Sequence, residues 1–162
     1  MLRYRRIATP LGEVVAVEQD GELTALHLPG DRVALPDEAV EGGPVVDEAA
    51  AQLGEWLAGS RTTFDLPLAP RGTEFQRRVW AALVTVPFGE TATYRDIAEA
   101  IGQPTATRAV GAANGRNPIP LIIPCHRVIG ADGSLTGYSG GGGLDTKRRL
   151  LDFERGALTL AV

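Results

Sequence analysis

Apolar residues change their spacing along this chain, and the change falls at Pro70-Arg71-Gly72. Before that point they mostly alternate with polar residues in short runs, 2–9, 13–19 and 22–29, broken by Pro10-Leu11-Gly12 and Asp20-Gly21. Alternation of period two belongs to strands with one buried face, and Asp-Gly is a strong hairpin signal, so these runs predict a β-meander. The stretch 30–45 carries Gly30, Pro36, Gly42, Gly43 and Pro44 and reads as a loop. A helix is expected over 46–58, with Val46, Ala50, Leu53 and Leu57 on one face and Gly59 as its stop. Phe64-Asp65-Leu66-Pro67-Leu68 reads as an edge strand, because Pro67 cannot donate to a central ladder.

Beyond the linker the pattern is mainly helical. Thr73 is placed to cap a helix whose apolar face is Phe75, Val79, Trp80 and Leu83, ending before Pro87 and Gly89. Thr93-Tyr94-Arg95-Asp96 resembles a capping box opening a short helix that stops at Gly102. After Gln103-Pro104, Thr105 is expected to cap a second short helix, Ala106 to about Asn114, closed by Gly115. Two short helices so joined form the helix-turn-helix pattern, although any αα-hairpin gives the same signal. The expectation is an α+β chain of two domains: 1–70 with an antiparallel sheet and a helix, 71–162 mainly helical.

The net charge of −4 argues against a nucleic-acid binder until it is divided. Residues 1–70 hold five Arg against twelve Asp and Glu, or −7. Residues 71–162 hold eleven Arg and Lys against eight Asp and Glu, or +3, so an anionic partner should meet the second half. With 162 residues, 44% of them apolar, the chain is long enough for a real core. No apolar run approaches the roughly 20 residues of a membrane span, and Met1-Leu2-Arg3-Tyr4-Arg5-Arg6 leads into no apolar stretch. A soluble cytoplasmic protein is expected. One cysteine allows no internal disulfide, and with His27 and His126 it is too little for a structural zinc site, so no metal is expected.

The helix expected over 106–114 offers alanine and glycine with Arg108 as its single long side chain. Helices that read the major groove carry several long polar side chains. Small residues instead suit close backbone approach, either to another helix of the protein or to a DNA minor groove with Arg108 as a wedge. Both remain open on spacing alone.

The lone cysteine lies in Asn117-Pro118-Ile119-Pro120-Leu121-Ile122-Ile123-Pro124-Cys125-His126-Arg127-Val128-Ile129. Leu121-Ile122-Ile123 reads as buried, with Ile123 held extended by Pro124. Neighbouring Cys and His side chains diverge in either strand or helix, so a bridging water is the easier route for a proton. Such a cysteine is either inert packing or a nucleophile.

Pro124-Cys125-His126-Arg127-Val128 resembles the active-site signature of the O6-alkylguanine-DNA alkyltransferases (methylated-DNA–protein-cysteine methyltransferases). The resemblance runs from Gly72 to Glu154. It includes Phe75 to Trp80, Pro87-Phe88-Gly89, Thr93-Tyr94, Arg108 to Gly111, Asn114, Asn117-Pro118, Gly137 to Gly140 and Lys147 to Glu154. The first half is similar to the family's ribonuclease-H-like N-terminal domain only in strand pattern. The resemblance implies a winged helix-turn-helix in the second half, and direct-reversal repair of double-stranded DNA containing O6-alkylguanine. O4-alkylthymine is a candidate second substrate. The protein would act as a monomer or in clusters along DNA, with no cofactor.

Residue by residue, the resemblance implies that Cys125 accepts the alkyl group. His126 works on the thiol through a water and is oriented by Glu154. Asn117 braces the turn. Tyr94 assists nucleotide flipping and protonates the guanine, and Arg108 fills the gap in the stack. Ser139, Tyr138 and Val128 hold the base, while Gly111, Ala112 and Asn114 belong to the binding helix. The chemistry is coherent: attack at an sp³ carbon needs a thiolate, and a free cysteine (pKa about 8.5) supplies only a few per cent at neutral pH. The thioether product resists water, so one turnover per molecule is expected. The glycine run 140–143 is longer than is usual in the family, and it bears on substrate size. Three rivals stand beside this reading: a Cys-His-Glu hydrolase, a helix-turn-helix regulator, and an alkyltransferase-like protein without the acceptor, which Cys125 itself argues against.

Overall fold

The computed structural model describes residues 1–136, 143–156 and 159–160. The early alternation resolves into three strands, β1 (Leu2–Thr9), β2 (Gly12–Gln19) and β3 (Glu22–His27), paired antiparallel in chain order. Asp20 and Gly21 both take positive φ, 51° and 83°, as a two-residue turn between right-twisted strands requires. Val14 to Glu18 are all buried, so central strand β2 is covered on both faces rather than one.

The sheet is not wholly antiparallel. A fourth strand, β4 (Val40–Glu41), pairs in parallel with β1, giving the order β3-β2-β1-β4. The segment expected to be only loop therefore supplies an edge, because the connection from Leu28 to Ala39 is long enough to swing a strand into parallel alignment. Phe64 to Leu68 contributes less than expected. Leu68 makes one parallel bridge with Leu23, whose N–H donates to the Pro67 carbonyl at 2.8 Å. A proline with no N–H keeps this ladder short.

Helix α1 (Pro44–Leu57) starts two residues before its expected position, with Pro44 in the first turn, where a missing N–H is harmless. Its N-cap, Gly43, has no side chain to offer. Buried Glu18 reaches over from β2 instead, and its carboxylate accepts the Val45 and Val46 N–H groups, both at 3.1 Å. Gly59, at φ 83°, stands just past the end as the stop signal predicted.

The second half follows as α2 (Glu74–Val84), β5 (Ala92–Thr93), α3 (Tyr94–Ala100), α4 (Thr107–Gly115), β6 (Val128–Ile129) and α5 (Leu144–Glu154). Thr73 and Thr93 both close full capping boxes, with Gln76 and Asp96. Thr105 does not cap α4. The Ala106 N–H is drawn back to the Gln103 carbonyl at 2.9 Å, which moves the N-cap to Ala106, where no side chain can help. Gly115 ends α4 from inside, and Arg116 is the C-cap.

Buried Trp56, Val79, Trp80, Leu83, Val110, Ile119, Ile123 and Leu150 belong to one continuous core across both halves of the sequence. Each such side chain stabilises by about 1.5–3 kcal/mol. The Trp80 indole N–H donates to the Ala113 carbonyl at 2.8 Å and fixes α2 against α4. β5 and β6 pair in parallel, Thr93 opposite Ile129, so Tyr94 at the start of α3 is held beside the segment that follows the cysteine. Among the described residues no helix is long and apolar enough to cross a membrane.

Thr93 joins the β5–β6 ladder to the α3 cap. Thr93→Ala is expected to lower stability by about 1 kcal/mol, read as a lower urea midpoint with an unchanged m-value.

Candidate active site

Asn117 closes the loop that presents the cysteine. Its Nδ2–H donates to the Ile123 carbonyl at 2.7 Å, and its Oδ1 accepts the Ile119 N–H at 2.9 Å. Ile123 N–H also donates to the Ile119 carbonyl at 2.9 Å, completing a tight reversal. Leu121 within it adopts φ 72°, a conformation costing about 1–2 kcal/mol for a residue with Cβ. Burying Leu121, Ile122 and Ile123, as the sequence predicts, offsets that strain. The loop delivers a single 3₁₀ turn, Cys125–Arg127, whose three residues are all buried. Cys125 and His126 follow one another about 120° apart on it, so their side chains diverge.

Glu154, near the end of α5, collects the charges of this turn. Its Oε2 accepts from His126 Nε2 at 2.8 Å and from Arg127 Nη2 at 2.7 Å, and its Oε1 accepts from Arg127 Nε at 2.9 Å. Arg127 Nη1 donates to the Val86 carbonyl at 2.7 Å, and the Gly89 N–H reaches Glu154 Oε1 at 3.4 Å. Burial would raise the Glu154 pKa, but hydrogen bonds from His126 and Arg127 outweigh it and hold the carboxyl down, at about 2. Glu154 is therefore ionised and can only accept. His126 Nε2 must carry the proton, which leaves Nδ1 as an acceptor without a partner among the described residues.

Burial pushes the His126 pKa down, although Glu154 pulls the other way, so the imidazole is neutral. Burial likewise pushes the Cys125 thiol up, against a hydrogen bond from Asn117 and the charge of Lys147. The resting pair is thus a thiol and a neutral imidazole with a free acceptor nitrogen. Such a pair forms a nucleophile when it transfers a proton, not before.

A second set of groups lies around the carbonyls of Val128 and Thr136. Lys147 on α5 is fully buried and donates to both, at 2.7 Å in the case of Thr136. Burial lowers its pKa to about 8, opposed by the neighbouring Cys125. Tyr94 donates its phenolic O–H to the Thr136 carbonyl at 2.8 Å, with Lys147 Nζ 5.9 Å from its ring centroid. Val128 is buried between these groups and His126 in sequence, as the first residue of β6.

Helix α4 has two faces. Arg108, Ala109 and Ala112 are exposed, and Gly111 is half-buried, where an added Cβ would lie 3.9 Å from the Tyr94 ring. Asn114, grouped with the binding residues from sequence, lies on the opposite face. It is buried and its Nδ2–H donates to the Cys125 carbonyl at 3.3 Å. Tyr138, Ser139 and Gly140 to Gly142 lie outside the described residues.

Sequence reasoning assigned roles to Cys125, His126, Glu154, Asn117 and Tyr94. The structure brings the first three and Asn117 around one turn, with Tyr94 on the Val128 side. It missed Arg127, whose guanidinium forks onto Glu154, and Lys147. A signal existed for the second: Lys147 is the only lysine among 16 basic residues.

The family model of the 6-O-methylguanine DNA methyltransferase DNA-binding domain matches residues 74–156. The chain is 50% identical over 157 residues to a methylated-DNA–protein-cysteine methyltransferase of Mycolicibacterium paratuberculosis, covering 96% of this chain and 93% of that protein. It is 45% identical to the constitutive methylated-DNA–protein-cysteine methyltransferase of Bacillus subtilis, covering 94% of each. The crystal structure of Mycobacterium tuberculosis OGT in complex with DNA superposes with a TM-score of 0.87 at 46% identity, over 98% of both chains.

The ionised Glu154 sets an acid limit on stability. A carboxyl whose folded pKa is depressed stabilises the fold above its unfolded pKa, near 4.5, and loses that contribution as pH falls toward about 2. Glu154→Gln should flatten the pH dependence of the melting temperature between about pH 5 and 2, removing of the order of 3 kcal/mol of pH-linked stability. An unchanged acid limb in the variant would show that other carboxylates set it.

Proposed function

This chain belongs to the methylated-DNA–protein-cysteine methyltransferase family, and from that premise we propose that Cys125 is the acceptor in a single, irreversible alkyl transfer. The substrate is O6-alkylguanine in double-stranded DNA, with O4-alkylthymine as a candidate second lesion. The observation that carries the reading is a buried thiol in the same 3₁₀ turn as a neutral imidazole whose Nε2 is committed to Glu154 and whose Nδ1 has no partner among the described residues. His126 Nδ1 takes the thiol proton, through a water, as sulfur attacks the alkyl carbon. The C–O6 bond breaks, the electron pair leaves on guanine, and Tyr94 supplies a proton to the ring. The thioether has no route back to thiol by hydrolysis.

We place the DNA on the exposed face of α4, with α3 and α4 as the helix-turn-helix of a winged unit spanning residues 71–162 and a ribonuclease-H-like sheet in 1–70. A base inside a duplex must be extruded to reach a buried sulfur. The small residues of α4 allow close approach to the minor groove, and exposed Arg108 takes the space of the extruded nucleotide. Val128, Tyr138 and Ser139 form the base pocket. The location is cytoplasmic on this reading.

Mixed with excess methylated oligonucleotide, the protein should gain about 14 Da at Cys125, the mass of one methylene, and then stop. Turnover beyond one equivalent would favour the hydrolase-like alternative. Arg108→Ala should slow repair of duplex at least tenfold while slowing reaction with free O6-benzylguanine less than threefold, since the free base needs no extrusion. Equal slowing on both substrates would make Arg108 a scaffold residue.

A further inference from the structure

One side chain of the first half meets the catalytic turn ring to ring. Trp56, on α1, is fully buried, and its ring meets His126 edge-on, with centroids 6.3 Å apart and planes at 62°. The same indole meets Phe153 at 5.1 Å and 72°, and Phe88 at 6.4 Å and 88°. Phe153 and Phe88 meet each other at 6.2 Å and 87°, so the three rings are in mutual edge contact.

Each of those rings adjoins a different part of the charged cluster. Phe153 precedes Glu154 in the chain. Phe88 precedes Gly89, whose N–H points at Glu154, and lies under the Arg127 guanidinium at 5.8 Å. Trp56 thus touches the imidazole and both aromatic residues that flank its partners. Edge-to-face contacts fix ring orientation as well as excluding water.

We propose that Trp56 is a positioning residue for the transfer reaction: its indole walls off His126 from solvent and holds the ring with Nε2 on Glu154 and Nδ1 toward the thiol. The acidic half of the chain therefore supplies the back wall of the catalytic site. The charged groups acting on His126 are Glu154 and Lys147 from α5 and Arg127 from its own turn, whereas α1 meets it with an uncharged indole. A dry wall disfavours the imidazolium, and only the neutral ring can accept the thiol proton. If water enters beside Glu154, the imidazolium gains and the acid limb of the reaction moves to higher pH.

The inference rests on the reading of Cys125 as acceptor and His126 as base, and the test separates the two. Single-turnover methyl transfer is followed from pH 5 to 9 in the wild-type protein, Trp56→Phe and Trp56→Leu, with product confirmed by intact mass. The midpoint of the acid limb should rise by half a unit or more in Trp56→Leu, about threefold in rate below the midpoint, and converge with wild type on the alkaline plateau. Trp56→Phe keeps an aromatic edge on the imidazole and should hold the wild-type midpoint. A Trp56→Leu rate reduced by one factor at every pH would overturn the proposal and leave Trp56 as core packing. Titration of His126 by NMR in the wild-type protein is a second arm that needs no variant, since His27 is the only other histidine. A His126 ring that protonates at or above the ordinary pKa of about 6.5 overturns the dry wall outright. Absence of methyl uptake in wild type would instead sink the transfer reading itself.

Discussion

One carboxylate, Glu154, organises the candidate active site of this molecule. It is nearly fully buried, and its two oxygens accept from His126, from both forks of Arg127 and from the Gly89 N–H. An unpaired buried carboxylate would cost several kcal/mol, so these donors are a condition of its being there at all. The same bonds tie the 3₁₀ turn to the end of α5, and Arg127 extends them to the Val86 carbonyl beyond α2. Three segments distant in sequence are held by one charge. Because Arg127 supplies the formal countercharge, His126 can stay neutral while still being oriented by the carboxylate.

That division matters for reactivity. Many nucleophilic cysteines rest as thiolates, lowered by a protonated histidine or a helix N-terminus. Here burial raises the thiol and lowers the imidazole, so the resting site stores no charge separation. Lys147 opposes the first effect from the other side of the turn, where it also ties the Val128 and Thr136 carbonyls together. Among the described residues no carboxylate hydrogen-bonds Lys147, and its charge acts on the Cys125 sulfur. On the alkyl-transfer reading, the neutral resting state protects the single-use thiol from stray electrophiles, and the charge appears only as the proton moves.

Local signals in the sequence carried much of the fold. Thr73 and Thr93 cap as their spacing predicts, Asp20-Gly21 turns the hairpin, and Gly59 stops α1, because each is decided by contacts within a few residues. The misplaced cap at Thr105 is a local error, undone by the Gln103 carbonyl drawing back the Ala106 N–H, but the larger surprises are non-local. β4 joins β1 across a long loop, and Glu18 caps α1 from another strand, so neither has a mark in its own neighbourhood. In the site, the Pro-Cys-His-Arg-Val block made Cys125 and His126 legible, and the resemblance made Glu154 so. Arg127 stood inside that block without a role because its partner is 27 positions away. Trp56 was read by neither periodicity nor motif. It lies far from the cysteine in sequence and meets His126 only through packing of the two halves.

Helix α4 shows why, on the proposed reading, the binding surface and the acceptor thiol are hard to separate. Its nine residues cannot bury small side chains on one face without exposing the other, and both faces are used. Val110 and Ala113 enter the core, Trp80 holds the Ala113 carbonyl, and Asn114 holds the Cys125 carbonyl. Arg108, Ala109 and Ala112 look outward from the same rigid body. Asn114 Oδ1 is buried without a partner among the described residues, a polar cost that the bond from its Nδ2–H to the Cys125 carbonyl helps to offset. On the proposed reading a larger residue on the outer face would hold DNA away from the sulfur, and an apolar residue at 114 would remove the bond to the Cys125 carbonyl. On the proposed reading the alanines and glycine of α4 are set by reach rather than recognition: the helix must bring a duplex close to a thiol it cannot expose.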